Sequence, residues 1–422
     1  MNIKTQFATI TDADPDEVDR DEAQNGIVHV TALLLTKTAD ALIDPKLVLS
    51  WLLTALGAPG AMIGMLVPIR EAGALLPQLA LSRWVEASPQ RKRFWSAGAA
   101  GQGLAALGIA AAAFLLSGAV AGAVVLGLLA IFSVARAASS VSYKDALART
   151  IEKTRRGSIT GLAGSVASAS VFGVGLLMAT GIFEVSVTPL AIIIAVAGLG
   201  FLLGGAVFLR LKEPSDTPEA EDDDTLKALV QPIFNDAQLR IFVASRAALA
   251  VTALAPPFIV MLSSGSDRTA LDQLGPLVMA STAASVLSSY VWGRLSDHSS
   301  RQTLMASGAL GAVVFLVVGG FGVALGGFAN MIWAALAVFA AQIAYEGVRA
   351  GRKLHLTDMA EDDFRARYTA LSNTLIGIAL LAGGLFGLTA DLFGPGWVLI
   401  AFAVLSALGA VVATRLDEVQ ED

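Results

Sequence analysis

Residues 28–54 read VHVTALLLTKTADALIDPKLVLSWLLT. At 1.5 Å per residue the stretch is longer than the roughly 20 residues that cross a bilayer. Yet Lys37, Asp40, Asp44 and Lys46 stand in its middle, with Pro45 among them. Each unpaired charge at the centre of a membrane helix costs about 2.5–3.5 kcal/mol. Either this is not a membrane helix, or it is half of a polar site inside one.

The rest of the chain decides for the membrane. Of 422 residues, 55% are hydrophobic and only 15% are charged, against about 25% charged in soluble domains. Apolar stretches of spanning length recur throughout and predict about twelve helices. They run near 28–54, 61–84, 94–116, 119–142, 158–181 and 187–210, then near 240–262, 274–295, 302–326, 329–350, 367–390 and 395–414. Turns such as GAPG (57–60) and SSGSD (263–267) separate them. The expected organisation is an acidic tail (1–26), a six-helix bundle (27–211), an acidic linker (212–238), a second six-helix bundle (239–415) and a short tail (416–422).

The net charge of −6 comes largely from TDADPDEVDRDEAQ (11–24) and KEPSDTPEAEDDD (212–224), which read as solvated, disordered stretches. Neither is basic, so nucleic acid is not an expected partner. The N-terminus has no basic region followed by an apolar core, so no cleaved signal peptide is expected. Without cysteine there is no disulfide and no thiol chemistry, and the scattered His29, His298 and His355 do not make a metal site. No cofactor is implied. One set of loops carries Arg91, Lys92, Arg93, Lys144, Arg149, Lys153, Arg155, Arg156, Arg301, Arg352, Lys353, Arg365 and Arg367; the opposite set holds Arg268 and otherwise only acids. By the positive-inside rule the basic loops and both termini are cytoplasmic, as in a bacterial inner membrane. Trp51, Trp84, Trp95, Trp292, Trp333 and Trp397 all fall near predicted helix ends, where an aromatic belt would lie.

The chain also repeats itself. Pro45 and Pro256 stand 211 positions apart, as do Arg83 and Arg294, Glu86 and Asp297, and Arg156 and Arg367. One offset of half the chain points to duplicated halves.

GRLSDHSSR (293–301), between the eighth and ninth helices, resembles the cytoplasmic loop motif G-x-L-x-D-R-x-G-R of the major facilitator superfamily. Gly293, Leu295, Asp297 and Arg301 match, Arg294 fills a free position, and His298 replaces the family's arginine. The first-half copy, SRWVEASPQRKR (82–93), keeps the RKR run but has Ser82 for the glycine and Glu86 for the aspartate. The family's helix-4 motif, an arginine followed by Gln-Gly, is not evident. The resemblance implies two six-helix bundles in an all-α membrane fold, with helices 1, 4, 7 and 10 around a central cavity. Read physically, Asp297 could accept hydrogen bonds from a neighbouring helix N-terminus and act as a conformational latch.

Ionisable residues inside the predicted spans follow that cavity set, with helix 2 added. Helix 1 has the four named above; helix 2 has Arg70 and Glu71 in MLVPIREAGALLPQ (65–78). Helix 4 has Arg136, helix 7 Arg246, and helix 10 Glu346 with Arg349 near its mouth. Six charges in the first hairpin would cost on the order of 15–20 kcal/mol if left alone, so pairing is required. An antiparallel hairpin turning near residues 57–58 sets Asp44 level with Glu71 and Pro45 level with Arg70, so Arg70 can reach Asp44 and Glu71 can reach Lys46, while Lys37 and Asp40 lie one turn apart and can pair. Arg136 and Glu346 could meet across the halves as a gate, or form a plain interface ion pair.

These residues predict a secondary active transporter for a small polar solute, anionic or zwitterionic, coupled to protons through Asp40 or Glu71 and working as a monomer in the lipid bilayer. Arg70 and Lys37 would hold the solute, with Arg136 and Arg246 drawing it in. A static salt-bridge network that fixes the hairpin is the plainer reading. An exporter of drugs or lipids on the same fold, and a non-transporting sensor or assembly factor, are the alternatives. An enzyme is not expected: no phosphate-binding GxxxxGK[ST] loop occurs, and the glycines of GLGFLLGG (198–205) read as close helix packing.

Overall fold

A computed structural model describes the chain outside residues 1–2, 12–13, 15–17, 87, 180–185, 215–232, 264–273, 329–330, 360–364 and 421–422. The first half forms α1 (Ile3–Thr11), α2 (Arg20–Leu42), α3 (Val48–Ala55), α4 (Gly60–Gly64), α5 (Leu66–Leu75), α6 (Gln78–Glu86), α7 (Arg91–Leu115), α8 (Gly118–Thr150), α9 (Arg156–Ala179) and α10 (Val187–Phe208). The second forms α11 (Ala237–Leu249), α12 (Val251–Ser263), α13 (Leu274–His298), α14 (Ser300–Leu325), α15 (Met331–Met359), α16 (Arg365–Gly383), α17 (Phe386–Phe393) and α18 (Pro395–Ala413). Among the described residues, nine helices or helix pairs are long and apolar enough to span a membrane; α2–α6 and α15, which carry much of the interior charge, are not in that set. The protein is an all-α integral membrane fold whose outer faces expose apolar side chains such as Leu203, Leu287 and Leu316.

The first hairpin is cut into pieces where unbroken helices were expected. Pro45 cannot donate to a helical hydrogen bond, and α2 ends at Leu42 before α3 starts at Val48. The Asp44 carboxylate accepts the freed amides of Lys46 (3.1 Å) and Leu47 (3.0 Å), and Ser50 Oγ donates to the Pro45 carbonyl (2.7 Å). Side chains thus replace the missing ladder bonds at the break.

Several expectations change. The N-terminal tail is not wholly solvated: α1 packs on α2 and α9 with Phe7 fully buried, and the ring occupies the place a side chain on Gly26 would need. Helix α2 begins at Arg20, ahead of the expected boundary at 26, because Asp19 caps it through the Asp21 amide (3.0 Å). Much of the acidic linker lies outside the described residues. Trp84, Trp333 and Trp397 are exposed, but Trp51, Trp95 and Trp292 are core residues; Trp95 lies against Phe208 with ring centroids 4.0 Å apart.

The glycines of the 198–205 stretch allow close helix approach. A Cβ on Gly198 would come within 2.9 Å of the Gly103 carbonyl, so α7 and α10 cross almost backbone to backbone. The two halves meet through α5 against α16, α9 against α13, α4 against α17 and α3 against α12. At the end opposite the basic loops, a Cβ on Gly64 would lie 2.7 Å from the Gly387 Cα. There Asp391 accepts the amides of Gly60 (2.6 Å) and Ala61 (2.8 Å) from across the interface.

Candidate functional site

Between the halves lies a cavity of about 610 Å³. Lys37, Asp40, Asp44, Lys46, Arg70, Glu71, Arg136, Glu346 and Arg349 all line it, so the interior ionisable residues singled out in the sequence converge there, Arg246 excepted. Ser281, Thr282 and Ser285 of α13, Gln342, Tyr345 and Arg352 of α15, and the small residues Gly164, Ala167 and Ser168 of α9 complete most of the wall. Helices α11 and α12 contribute no lining residue, in contrast to the seventh helix's expected role.

Asp40 is the centre of the first-half charges. Arg70 donates to its Oδ1 at 2.5 Å, and Arg136 reaches both of its carboxylate oxygens, also at 2.5 Å to Oδ1. Arg70 is buried, and its guanidinium lies 5.0 Å from the Phe132 ring centroid, which holds its plane in place. Asp40 keeps 29% of its side-chain surface accessible and Arg136 keeps 39%, so this clamp faces the cavity space. The pairing differs from the hairpin expectation. Asp44 turns to the backbone at the helix break, and Arg70 pairs instead with Asp40. With Asp44 held by the amides of the break, the Arg70 side chain reaches Asp40, one turn back along α2.

The other expected pairs also rearrange. Lys37 donates to the Thr160 carbonyl of α9 (3.1 Å), over the bare backbone of Gly164, and does not pair with Asp40. Lys46 does not meet Glu71; its ammonium sits 3.2 Å from the centroid of Tyr345, in the other half. Glu71 lines the cavity and makes no hydrogen bond or ion pair among the described residues, while its charge acts on Arg246 and Arg349. Arg136 and Glu346 do not form the expected gate: Arg136 is held by Asp40, and Glu346 pairs with Arg349 (3.2 Å). Glu346 also accepts from Gln342 (3.0 Å) and Ser285 (3.1 Å). Arg246 is buried outside the lining and donates to the neutral Ser372 (2.7 Å) and Asn373 (2.9 Å).

Tyr345, Gln342 and Ser285 were not singled out in the sequence. A signal was available, since Gln342, Tyr345, Glu346 and Arg349 follow the i, i+3, i+4, i+7 spacing of one helix face.

The loop motif takes a different form from a latch. Gly293, Arg294 and Asp297 are the last turns of α13, and Arg301 lies in the first turn of α14. Asp297 is exposed and makes no hydrogen bond or ion pair among the described residues, and Arg294 donates to Tyr290 one turn back (3.1 Å). The start of α14 is capped from the C-terminal tail: Gln420 accepts the Ser300 amide (2.8 Å), and Arg301 donates to the Leu416 carbonyl (3.2 Å). The first half repeats the arrangement. Glu213, just beyond α10, accepts the amides of Arg91 and Lys92, both at 2.9 Å, and Lys92 donates to the Leu211 carbonyl (2.7 Å).

With this geometry in view, residues 31–317 match the family model described as Major Facilitator Superfamily. The chain belongs to the major facilitator superfamily. Its fold is shared with the nucleoside transporter NupG (15% identity, 94% of this chain and 99% of that one, TM-score 0.66). It is also shared with a D-xylose-proton symporter (13%, 94% and 98%, TM-score 0.70) and with the inward-open xylose transporter XylE from E. coli (12%, 93% and 95%, TM-score 0.63). No curated protein matches the sequence. Family and fold make this major facilitator protein a transporter rather than an enzyme.

Proposed function

We propose that the protein is a proton-coupled secondary active transporter of a small organic solute that carries an anionic group. The observation behind this reading is the position of Asp40, a cavity-lining carboxylate held by two guanidiniums. An anionic group on a solute can take over the same hydrogen bonds, because arginine binds carboxylates and phosphates through the same fork of donors. Asp40 would then be left charged and unpaired, a costly state that protonation relieves. Solute and proton therefore bind together: the proton frees the arginines, and the solute occupies them.

Alternating access follows if the two halves rock about this cavity. The closure at Asp391 and the Gly64–Gly387 contact would hold one face shut, and the basic-loop face would open to the cytoplasm. In this reading both termini are cytoplasmic, the protein sits in a bacterial inner membrane, and one chain suffices, since every group of the clamp comes from it. The neighbouring symporter for D-xylose and protons shows that the fold accommodates proton coupling.

The test is a thermal-shift screen of the purified protein against carboxylates, phosphates and amino acids, followed by proteoliposome assays with the hits. Asp40→Asn should cut accumulation driven by a pH gradient at least tenfold while sparing gradient-free exchange. Arg70→Ala should lose stabilisation by the hits. A hit that stabilises wild type and both variants equally, with transport indifferent to the gradient, would sink the proposal.

A further inference from the structure

The Lys46–Tyr345 contact is built like the Asp40 clamp with the charges reversed. Lys46 extends from the helix break of the first half to the Tyr345 face in the second, with 3.2 Å from ammonium to ring centroid. Among the described residues its ammonium makes no hydrogen bond or ion pair, so the ring is its main seat there. An aromatic face attracts a cation through its quadrupole. One turn of α15 around Tyr345 supplies the buried Glu346 carboxylate and the Gln342 amide, joined to Ser285 of α13, with Gln342 to Ser285 at 3.0 Å. Glu71 faces the same cavity with no committed partner among the described residues, and Arg349 and Arg352 are the cations on this side.

Resting on the anion-clamp reading above, we propose that Tyr345, with Glu346 and Gln342, forms a second subsite for a primary ammonium group, so that the solute is an amino acid or a similar amino-carboxylate. The chain supplies both halves of such a molecule itself. The Asp40 carboxylate occupies Arg70 and Arg136, and the Lys46 ammonium occupies Tyr345. An incoming amino-carboxylate replaces both, its anion on the first half and its ammonium on the second. Lys46, once displaced, stays beside Asp44, whose charge already acts on it. This also ties binding to movement. Lys46–Tyr345 crosses between the halves, so rocking must break it, and a solute that takes its place carries the cross-cavity contact instead.

The experiment titrates the purified full-length protein with short straight-chain ω-amino acids, the alkanoates lacking the amine and the alkylamines lacking the carboxylate. The best amino acid should bind more tightly than its alkanoate, and in Lys46→Met, where no ammonium has to leave the ring, by about tenfold, a margin that one desolvated cation–π contact can supply. Tyr345→Leu should erase that margin while leaving alkanoate affinity unchanged, and Tyr345→Phe should retain it. Lys46→Met, which vacates the ring, should strengthen alkylamine binding. Equal affinity for amino acid and alkanoate, with both lost in Arg70→Ala, would overturn the ammonium subsite and leave the anion clamp standing. Failure of every probe to bind, or binding that Arg70→Ala does not weaken, would overturn the clamp and the subsite together. Circular dichroism and gel filtration of each variant establish that it is folded before its affinities are compared.

Discussion

Pro45 and Pro256 occupy equivalent places in the repeat, 211 residues apart, and their surroundings treat them differently. Around Pro45 the helix stops at Leu42 and resumes at Val48, and the gap turns charged side chains into the cavity. Pro256, with Pro257 beside it, lies inside α12, where both prolines are buried and the only interruption nearby is the single residue Ala250 between α11 and α12. The neighbours explain the difference. Asp44 accepts two freed amides at the first break, whereas the matching residue in the second half is Ala255, fully buried and without an acceptor. A proline removes one donor from a helix; whether the helix then opens depends on a side chain that can satisfy what the opening exposes.

The largest expected effect comes from forcing the second region toward the first. Ala255→Asp would place a carboxylate among buried apolar neighbours with no partner, and should lower stability by about 3 kcal/mol or more. Thermal unfolding of the detergent-solubilised protein reads this directly. An unchanged midpoint would mean that the second helix opens as readily as the first, and the comparison would fail.

Next in size is the converse change. Asp44→Ala strands the amides of Lys46 and Leu47 at the break and should cost about 1–2 kcal/mol, as loss of a helix cap does. Asp44→Asn keeps an acceptor oxygen and should recover most of that loss in the same assay. If both variants fell equally, the carboxylate's charge, and not its capping of the break, would be what matters.

The smallest effect is expected at Pro256. Because α12 already runs through it, Pro256→Ala should shift stability by no more than about 0.5 kcal/mol. A large gain would show that the proline strains the second helix after all.

The same contrast explains how far the site could be read from the sequence. Lys37, Asp40, Asp44, Lys46, Arg70 and Glu71 stand out because ionisable groups in apolar stretches are costly wherever they fall, and the structure places all six around one cavity. Their partners did not follow from spacing. The straight-hairpin expectation lets Arg70 reach Asp44, but Asp44 is taken by the amides of the break and Arg70 pairs with Asp40. Arg136 reaches the same carboxylate from α8, a contact between helices far apart in the chain that periodicity does not report. Tyr345 carries no charge, so nothing in the hydropathy pattern distinguished it from an ordinary core aromatic, although its ring holds Lys46.

Composition and periodicity by themselves determined that this is an all-α membrane protein and which charges must be accounted for. Those follow from transfer free energies that each segment carries wherever it packs. The motif at 293–301 added the family. Only the tertiary structure decided which charge meets which, that helix 1 breaks at Pro45, and that Lys46 crosses to Tyr345. Ion pairing and cation–π contact depend on positions within a few ångströms, and those positions are set by how separate helices pack.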